Sequence, residues 1–568
     1  MAFVFATLLF WFSAAIAQPS VGGPLDDSIV LDLTEDGLAQ LEPAVGAFVP
    51  SPIEPGTIQE ELLGIITVTV SNLSIDVEVD DVQIVPRNSS LDLDVVATVS
   101  VNGQNTPAAA NLDVGLFDLN CNFYIQPFQV TGSTTAFLSL PLDPDGVDFD
   151  RDGNIDTRLL DVMFTAIDVT DNAQGSDVQT PGCALGPINS ILSAVNINAF
   201  DALLDAVRPQ LLAAVADLPA QLEPLLEEPF SSFVVAEEVN LLGVPVFVAL
   251  WPEDLRLDSN GLRVGLASFV DAPADPCVER YGIDRFSASF EDLPEPPYPS
   301  SPFSGPDVAA FVEDDFANQV LWAAWSGGLL CLDLDDPNNT FVLPLEIDST
   351  LLAALGPEGT YDALFEETVP VSLVTDPKSP PVVDLSGDTD VTVVIDPVGL
   401  VIEAEVAGRR ARVLDIEVTG RLGADLNFDG QTGAIDVGLT EIGPDSVDVV
   451  VAHNDFAPDA NDAVAANVKT LLTDIAGPVL DDQLDGVSLA LDLPSFDGFG
   501  LQSLETAPSA ADGSILGAYA EVGLVPYTSA GCTDGGGCDQ GCTSSGLPTG
   551  TTLAFVGALG LLVLRRRR

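Results

Sequence analysis

The chain states its plan twice, and that limits what it can fold into more than any other feature. A stripe of apolar residues at helical spacing begins at Ile191 and another at Val464, 273 positions apart (464 − 191). An opening helix is expected after Thr34 and another from Val308, 274 apart (308 − 34). An acidic motif begins at Asp148 and again at Asp425, 277 apart (425 − 148). Three kinds of marker at nearly one offset imply an internal duplication, so the fold must consist of two similar units.

Within each unit, strand signals far outnumber helix signals. Leu91, Leu93, Val95, Ala97, Val99 and Val101 alternate with other residues and share one strand face. The period is two from Ile65 to about Ile167, and strands are expected from Phe233 to Val270, from Cys331 to Val451 with clear alternation at Val413–Val418, and from Val487 to about Val525. Thr34 is read as an N-cap for a helix carrying Leu38, Leu41, Val45 and Phe48, with Glu35 and Asp36 favouring the dipole. A longer helical stretch spans 189–230 with Leu203, Val207 and Leu211 in its stripe, and another spans 461–484 with Val468, Leu472 and Ile475. Between the units, Val308, Phe311, Val312, Phe316, Val320 and Ala323 recur at mostly three- and four-residue steps. This predicts a helix over 308–326, capped by Asp307, stopped by Gly327 and Gly328 and followed by a strand from Leu329. The class is α+β, with a long helix packed lengthwise into a strongly curved antiparallel sheet in each unit.

At 568 residues the chain exceeds what one core sustains. Its net charge is −69, from 87 acids against 18 bases, and four of those bases are Arg565 to Arg568. Such a chain repels phosphate backbones, which excludes nucleic acid as a partner. Capture by anionic lipid head groups is disfavoured for the same reason unless divalent cations bridge. Phe3 to Phe12 is apolar and Ala15-Ile16-Ala17 is a small-x-small cleavage site, so a signal peptide is expected over 1–17. The remaining divisions are a first unit over 27–270, a Pro-rich linker over 271–306, a second unit over 307–525, a Gly/Ser/Cys spacer over 526–546 and an apolar segment closed by the arginines over 547–568. Cys121, Cys183, Cys277 and Cys331 are an even number in an exported body, and oxidised pairs are expected. The spacing does not give the connectivity. Cys121–Cys183 and Cys277–Cys331 are the expected pairs.

Two resemblances add to this reading. Cys532, Cys538 and Cys542 before the apolar segment make the tail similar to the cysteine-containing sorting signals of myxobacterial surface proteins. That likeness implies export, anchoring through one of these cysteines and a place at the cell surface or outer membrane. Four passages of the body resemble the bactericidal/permeability-increasing protein and lipopolysaccharide-binding protein family of tubular lipid binders. They are Ile29–Leu38, Phe311–Leu332 with Asn318 and Gly327-Gly328, Pro381–Leu400, and Pro478–Phe496 followed by Leu501–Tyr519. The family likeness implies a boomerang of two barrels joined by a central sheet, with an apolar pocket for phospholipid or other acyl chains in each. In this sequence the walls would be Leu38, Leu41, Val45, Leu203, Val207 and Leu211 in the first unit. In the second they would be Phe311, Phe316, Val320, Val468, Leu472 and Ile475. A carrier of acyl chains needs little beyond a continuous apolar slot, because each buried methylene contributes roughly 0.8 kcal/mol. The basic tip through which some family members bind lipopolysaccharide has no counterpart here.

Asp148-Phe-Asp150-Arg-Asp152-Gly153-Asn154-Ile155-Asp156 places carboxylates at alternate positions with a glycine for the turn, the pattern an oxygen-seeking Ca²⁺ requires. Asp425, Asn427 and Asp429 with Asp436 repeat it in the second unit. A structural Ca²⁺ is expected at both. His453 is the only histidine, no G-x-S-x-G surrounds a serine, and no phosphate-binding glycine loop is present. No enzyme is expected. The two surviving classes are a surface lipid binder and a calcium-stabilised adhesin or structural protein with filled cores.

Overall fold

Alternating apolar side chains dominate the sequence, and the molecule is mostly sheet with few helices. The computed structural model describes residues 24–47, 52–62, 66–113, 118–144, 146–181, 183, 201, 204–205, 207–209, 223, 227, 233–241, 244–283, 294–298, 300–333, 348–386, 389–429, 434–439, 444–484, 488–490, 499–509 and 514–524.

The first unit opens with β1 (Leu25–Thr34) and α1 (Glu35–Ala47). It continues through β2 (Ile53–Leu62), β3 (Ile66–Arg87), β4 (Ser90–Val101), β5 (Ala108–Asp113), β6 (Asp118–Ser139), β7 (Asp161–Phe164), β8 (Asp168–Asp171) and β9 (Val178–Gln179). After a helical stretch that includes residues 204–205 and 207–209 come β10 (Val235–Leu241), β11 (Val244–Asp258), β12 (Gly261–Asp271) and α2 (Pro276–Glu279). The second unit opens with β13 (Val308–Glu313), α3 (Asp314–Ser326) and α4 (Ser349–Leu355). Next are β14 (Val371–Pro377), β15 (Val382–Asp384), β16 (Val391–Val406), β17 (Arg409–Asp429), β18 (Ala434–Leu439) and β19 (Val447–His453). It closes with α5 (Asn461–Leu484), β20 (Ser488–Ala490), β21 (Phe499–Pro508) and β22 (Ile515–Leu524).

These strands make three sheets. In the first unit's sheet, β5 takes up on β3 and β6 where β4 leaves off, and β7, β8 and β9 succeed one another along the outer edge of β6. The second unit does the same with β14 and β15 along β16, and with β18 and β19 along β17. The third sheet runs β10-β11-β12-β1-β13-β22-β21 and draws strands from both units. At its centre β1 and β13 pair antiparallel, with Leu31 opposite Ala310. The helices that follow them begin at Glu35 and Asp314, 279 apart (314 − 35), and 31 + 279 is 310. Leu31 therefore faces its own counterpart, and a local two-fold axis passes through that pair.

Thr34 caps α1 as the sequence predicts: its Oγ1 accepts from the Gly37 N–H at 3.1 Å. Gly37 also lies under the Asp307 carbonyl, and a Cβ there would sit 2.1 Å from that oxygen. The helix expected over 308–326 is corrected. Val308–Glu313 is strand, and α3 begins at Asp314 with Glu313 as its N-cap. The cause is burial on both faces: Val312 packs into the helix-side core and Phe311 against Tyr298 and Tyr519 on the other side, so positions on both faces are apolar and the period of two disappears. Asp307 is no cap. Its N–H bonds the Ala520 carbonyl at 2.9 Å and its Oδ2 accepts from Val522 at 2.7 Å. The glycine stop stands, with Gly327 bonded back to Ala323 at 2.8 Å and Gly328 at φ 88°. Beyond it the expected strand is a turn followed by a single bridge, Asp333 to Val374, among the described residues.

Both disulfides form the expected pairs, Cys121–Cys183 and Cys277–Cys331, with Cα atoms 5.3 and 6.3 Å apart. Such bonds belong to proteins matured outside a reducing cytosol. The described part of the linker is a cover rather than a free tether. Tyr298 is buried against Phe311 and Tyr519, with ring centroids 5.3 and 5.9 Å away. Its hydroxyl donates to Asp32 at 2.5 Å, and Asp32 also accepts two bonds from Arg263 at 2.7 and 2.6 Å. The expected signal peptide, spacer and tail, with Cys532, Cys538 and Cys542, lie outside the described residues.

Candidate functional site

Strand alternation sorts the expected pocket residues onto opposite faces of the central sheet. On β1, Ile29, Leu31 and Leu33 point toward the helices, while Val30 and Asp32 point toward the linker. On β13, Val312 shares the helix side and Phe311 the linker side, where it packs with Tyr298 and Tyr519. Phe311 is therefore removed from the wall formed by Phe316 and Val320. Those two residues of α3 share one core with Leu38 of α1, so side chains expected in two separate pockets meet in the middle of the molecule. Around this core stands a rim of half-buried apolar side chains: Leu31, Leu33, Leu138, Leu140, Phe164 and Leu255.

Farther out, Val207 and Leu204 pack into the first unit's sheet against residues such as Val70 and Phe123. Val464 and Val468 of α5 pack with Tyr361, Ile402 and Ile416 in the second, with Leu472 half-buried at the edge. Val207 and Val464 are 0% exposed, so no water-sized void touches either. Leu41 is half-buried on α1. Leu203 and Leu211 lie outside the described residues, as do the side chains of Val45 and Ile475.

The first acidic motif forms a true loop. Asp156 Oδ2 accepts from the backbone of Phe149 at 2.6 Å and Asp150 at 3.3 Å, and Asp148 Oδ2 accepts from Gly153 at 2.9 Å. Arg151 at φ 64° and Gly153 at φ 96° turn the chain tightly enough to bring the carboxylates inward. One oxygen each from Asp148, Asp150 and Asp156 lies within 4.8 Å of the others. Asp152 does not join them. Its two oxygens are taken by Asn154, at 2.7 and 2.8 Å, and these bonds hold its pKa down. Burial, followed by the charges of Asp156 and Asp152, pushes the Asp150 carboxyl up. Asp148 Oδ1 is sealed from solvent with no hydrogen-bond partner. Phe149 stacks on Trp251 at 5.3 Å and Arg151 lies over the Phe247 ring at 5.6 Å, fastening the loop to β11.

In the second motif the described residues are extended strand. Asp425 and Asn427 lie on β17, and Asn427 stands opposite Asp436 on β18. The side chains of Asp429 and Asp436 lie outside the description.

One cluster carried no signal in the sequence. Asp27 sits at φ 48° in a bulge of β1, and Glu253 in a bulge of β11, on either side of β12. Asp27 Oδ1 and Glu253 Oε2 are both buried without hydrogen-bond partners. Burial first, then the charges of Asp26 and Asp27, pushes Glu253 up to about 7, with Arg158 opposing. Burial and Asp254 push Asp27 up as well. Two bulges 226 residues apart (253 − 27) have no periodicity from which to find them.

No family model matches the chain, and no curated protein matches it. Among solved structures, the chain is similar to a lipopolysaccharide binding protein, with TM-score 0.47 and 13% identity over 89% of this chain and 100% of that one. It is also similar to Takeout 1 of Epiphyas postvittana, with TM-score 0.21 and 14% identity over 34% of this chain and 89% of that one. A third likeness is to P47 of Clostridium botulinum A2, with TM-score 0.21 and 8% identity over 88% of this chain and 98% of that one.

Proposed function

We propose that the protein is a lipid-binding or lipid-transfer protein of the bacterial cell surface, exported and held there by its tail. In this reading two barrels flank the central sheet and keep phospholipid acyl chains against apolar walls. The observation that carries it is the rim at Leu31, Leu33, Leu138, Leu140, Phe164 and Leu255. A folded body gains by closing such leucines and phenylalanines away from water. Here they stay partly exposed against a core that includes helices from both units, and an acyl chain laid along them would complete the burial.

Ca²⁺ is the ion assigned to the 148–156 loop, in a structural role. Its converging donors are all oxygens, and the solvent-sealed Asp148 Oδ1 lacks the positive or donor partner that a buried carboxylate oxygen requires. Asp148, Asp150 and Asp156 would hold it.

The closed packing at Val207 and Val464 favours the second reading, a calcium-stabilised adhesin or structural protein with filled cores. Native mass spectrometry and solvent extraction of the purified protein separate the two. Stoichiometric phospholipid, lost on Leu138→Asp at its half-buried position, supports the lipid reading. A lipid-free protein that also fails to take up fluorescent phospholipid from vesicles refutes it and leaves the adhesin.

A further inference from the structure

Six of the nine large apolar side chains exposed among the described residues fall within positions 137–163: Phe137, Leu142, Val147, Ile155, Leu159 and Met163. The structure gathers them. Phe137 and Met163 are cross-strand partners on the outer face of β6 and β7, 47% and 62% exposed. Past these strands the hairpin continues: Leu142 bridges to Arg158, and Leu159 donates to the Pro141 carbonyl at 3.2 Å. Nearer the tip, the Val147 carbonyl accepts from Asp156 at 3.0 Å, and Ile155 lies over Gly146. The tip is the carboxylate loop. Apolar side chains thus climb a hairpin to a set of converging oxygens, and the stack of Phe149 on Trp251 holds the hairpin in place.

The charge of this hairpin decides what it can meet. Its two cations are engaged, Arg151 over Phe247 and near Asp271, and Arg158 with the Leu140 carbonyl. The acids Asp143, Asp148, Asp150, Asp152, Asp156 and Asp161 leave it strongly negative, so without an ion it repels an anionic surface. With Ca²⁺ the repulsion at the tip falls: Asp148, Asp150, Asp152 and Asp156 with Arg151 carry −3, and the ion brings this to −1 (−4 + 1 + 2) while being itself a positive centre. Ca²⁺ takes six to eight oxygens, and three carboxylates leave coordination positions open at the exposed end. Phosphate oxygens can fill them, and the apolar side chains beside them match the acyl boundary just below a layer of phosphates.

We propose that the 137–163 hairpin is a docking surface for an anionic lipid bilayer: Phe137, Leu142, Leu159 and Met163 enter the interface, and Ca²⁺ bridges the loop to lipid phosphate. This rests on the calcium reading above and is separate from the internal rim. The test uses the full chain carrying Phe137→Trp on vesicles of equal parts phosphatidylserine and phosphatidylcholine containing brominated acyl chains. The wild-type protein supplies the background from the native tryptophans, and the tail is common to both. In Ca²⁺ the added tryptophan should lose roughly half its emission, as expected for a side chain at the acyl boundary, and recover it in EDTA. Asp150→Asn should abolish the difference. Unquenched emission in both Ca²⁺ and EDTA overturns the docking surface, and quenching that persists in EDTA overturns the ion bridge. Calorimetric titration of the same protein with Ca²⁺ keeps the failures apart: no binding defeats the calcium reading, while binding without quenching defeats the docking alone.

Discussion

Replacing Glu253 by glutamine should make the region around β11 and β12 more stable at neutral pH and leave it unchanged in acid. Glu253 is half-buried with Oε2 unpartnered, and its folded-state pKa is about 7 against an ordinary 4.5. For an acid shifted upward, the folded protein keeps its proton through a window in which the unfolded chain has released it. The contribution of Glu253 to stability is therefore greatest below about pH 4.5, declines as pH rises to about 7 and then stays level. The full shift corresponds to roughly 3 kcal/mol, and partial exposure reduces this to roughly 2 kcal/mol. Glutamine has no proton to lose, so the decline should vanish. Hydrogen exchange of the β11 and β12 amides, compared between wild type and Glu253→Gln at the same pH, measures the local opening energy. The variant should gain roughly 2 kcal/mol of protection at pH 8 and nothing near pH 4. A pH-independent difference between the two proteins would refute the reasoning, because it would mean that Glu253 does not titrate on folding in this range.

Three further changes test the fold. Gly37→Ala forces a Cβ to within 2.1 Å of the Asp307 carbonyl and should destabilise by at least about 2 kcal/mol in chemical denaturation; a loss below about 0.5 kcal/mol would mean that the helix and β13 shift apart freely. Tyr298→Phe removes the hydroxyl that donates to Asp32 but keeps the ring between Phe311 and Tyr519, so a cost of about 1.5–3 kcal/mol is expected for a bond to a charged acceptor. Cys277→Ser with Cys331→Ser should cost about 2–4 kcal/mol, and among the described residues added reductant should then affect only the Cys121–Cys183 bond, as mapping of labelled thiols would check.

How far the sequence could be read depended on what each residue faces. Asn461–Leu484 was legible to the residue because, over the side chains described, buried Val464 and Val468 alternate at helical spacing with exposed Asp462, Asn467, Thr470 and Asp474. The Thr34 cap and the Gly327 stop were legible because capping chemistry is local. Val308–Glu313 was misread because a strand buried on both sides has no polar alternate to mark it. Leu38, Phe316 and Val320 were read as walls of separate pockets, since nothing local says that α1 and α3 pack into one core on the same side of the central sheet. The two acidic motifs look alike in sequence, yet the first gathers its carboxylates in a loop while Asp425 and Asn427 of the second lie on a strand. The second has β18 beside it, and ladder bonds to that strand keep the backbone extended through Asp425 and Asn427.

The pairing of Leu31 with Ala310 makes the middle of this protein an isologous interface that happens to lie within one chain. Its ladder has the symmetry of a homodimer, with a covalent link where two free subunits would meet. Separated from its partner, either unit would expose β1 or β13 as an open strand edge with apolar residues on the helix side. Joining the two edges in one chain makes their pairing an intramolecular event, independent of concentration.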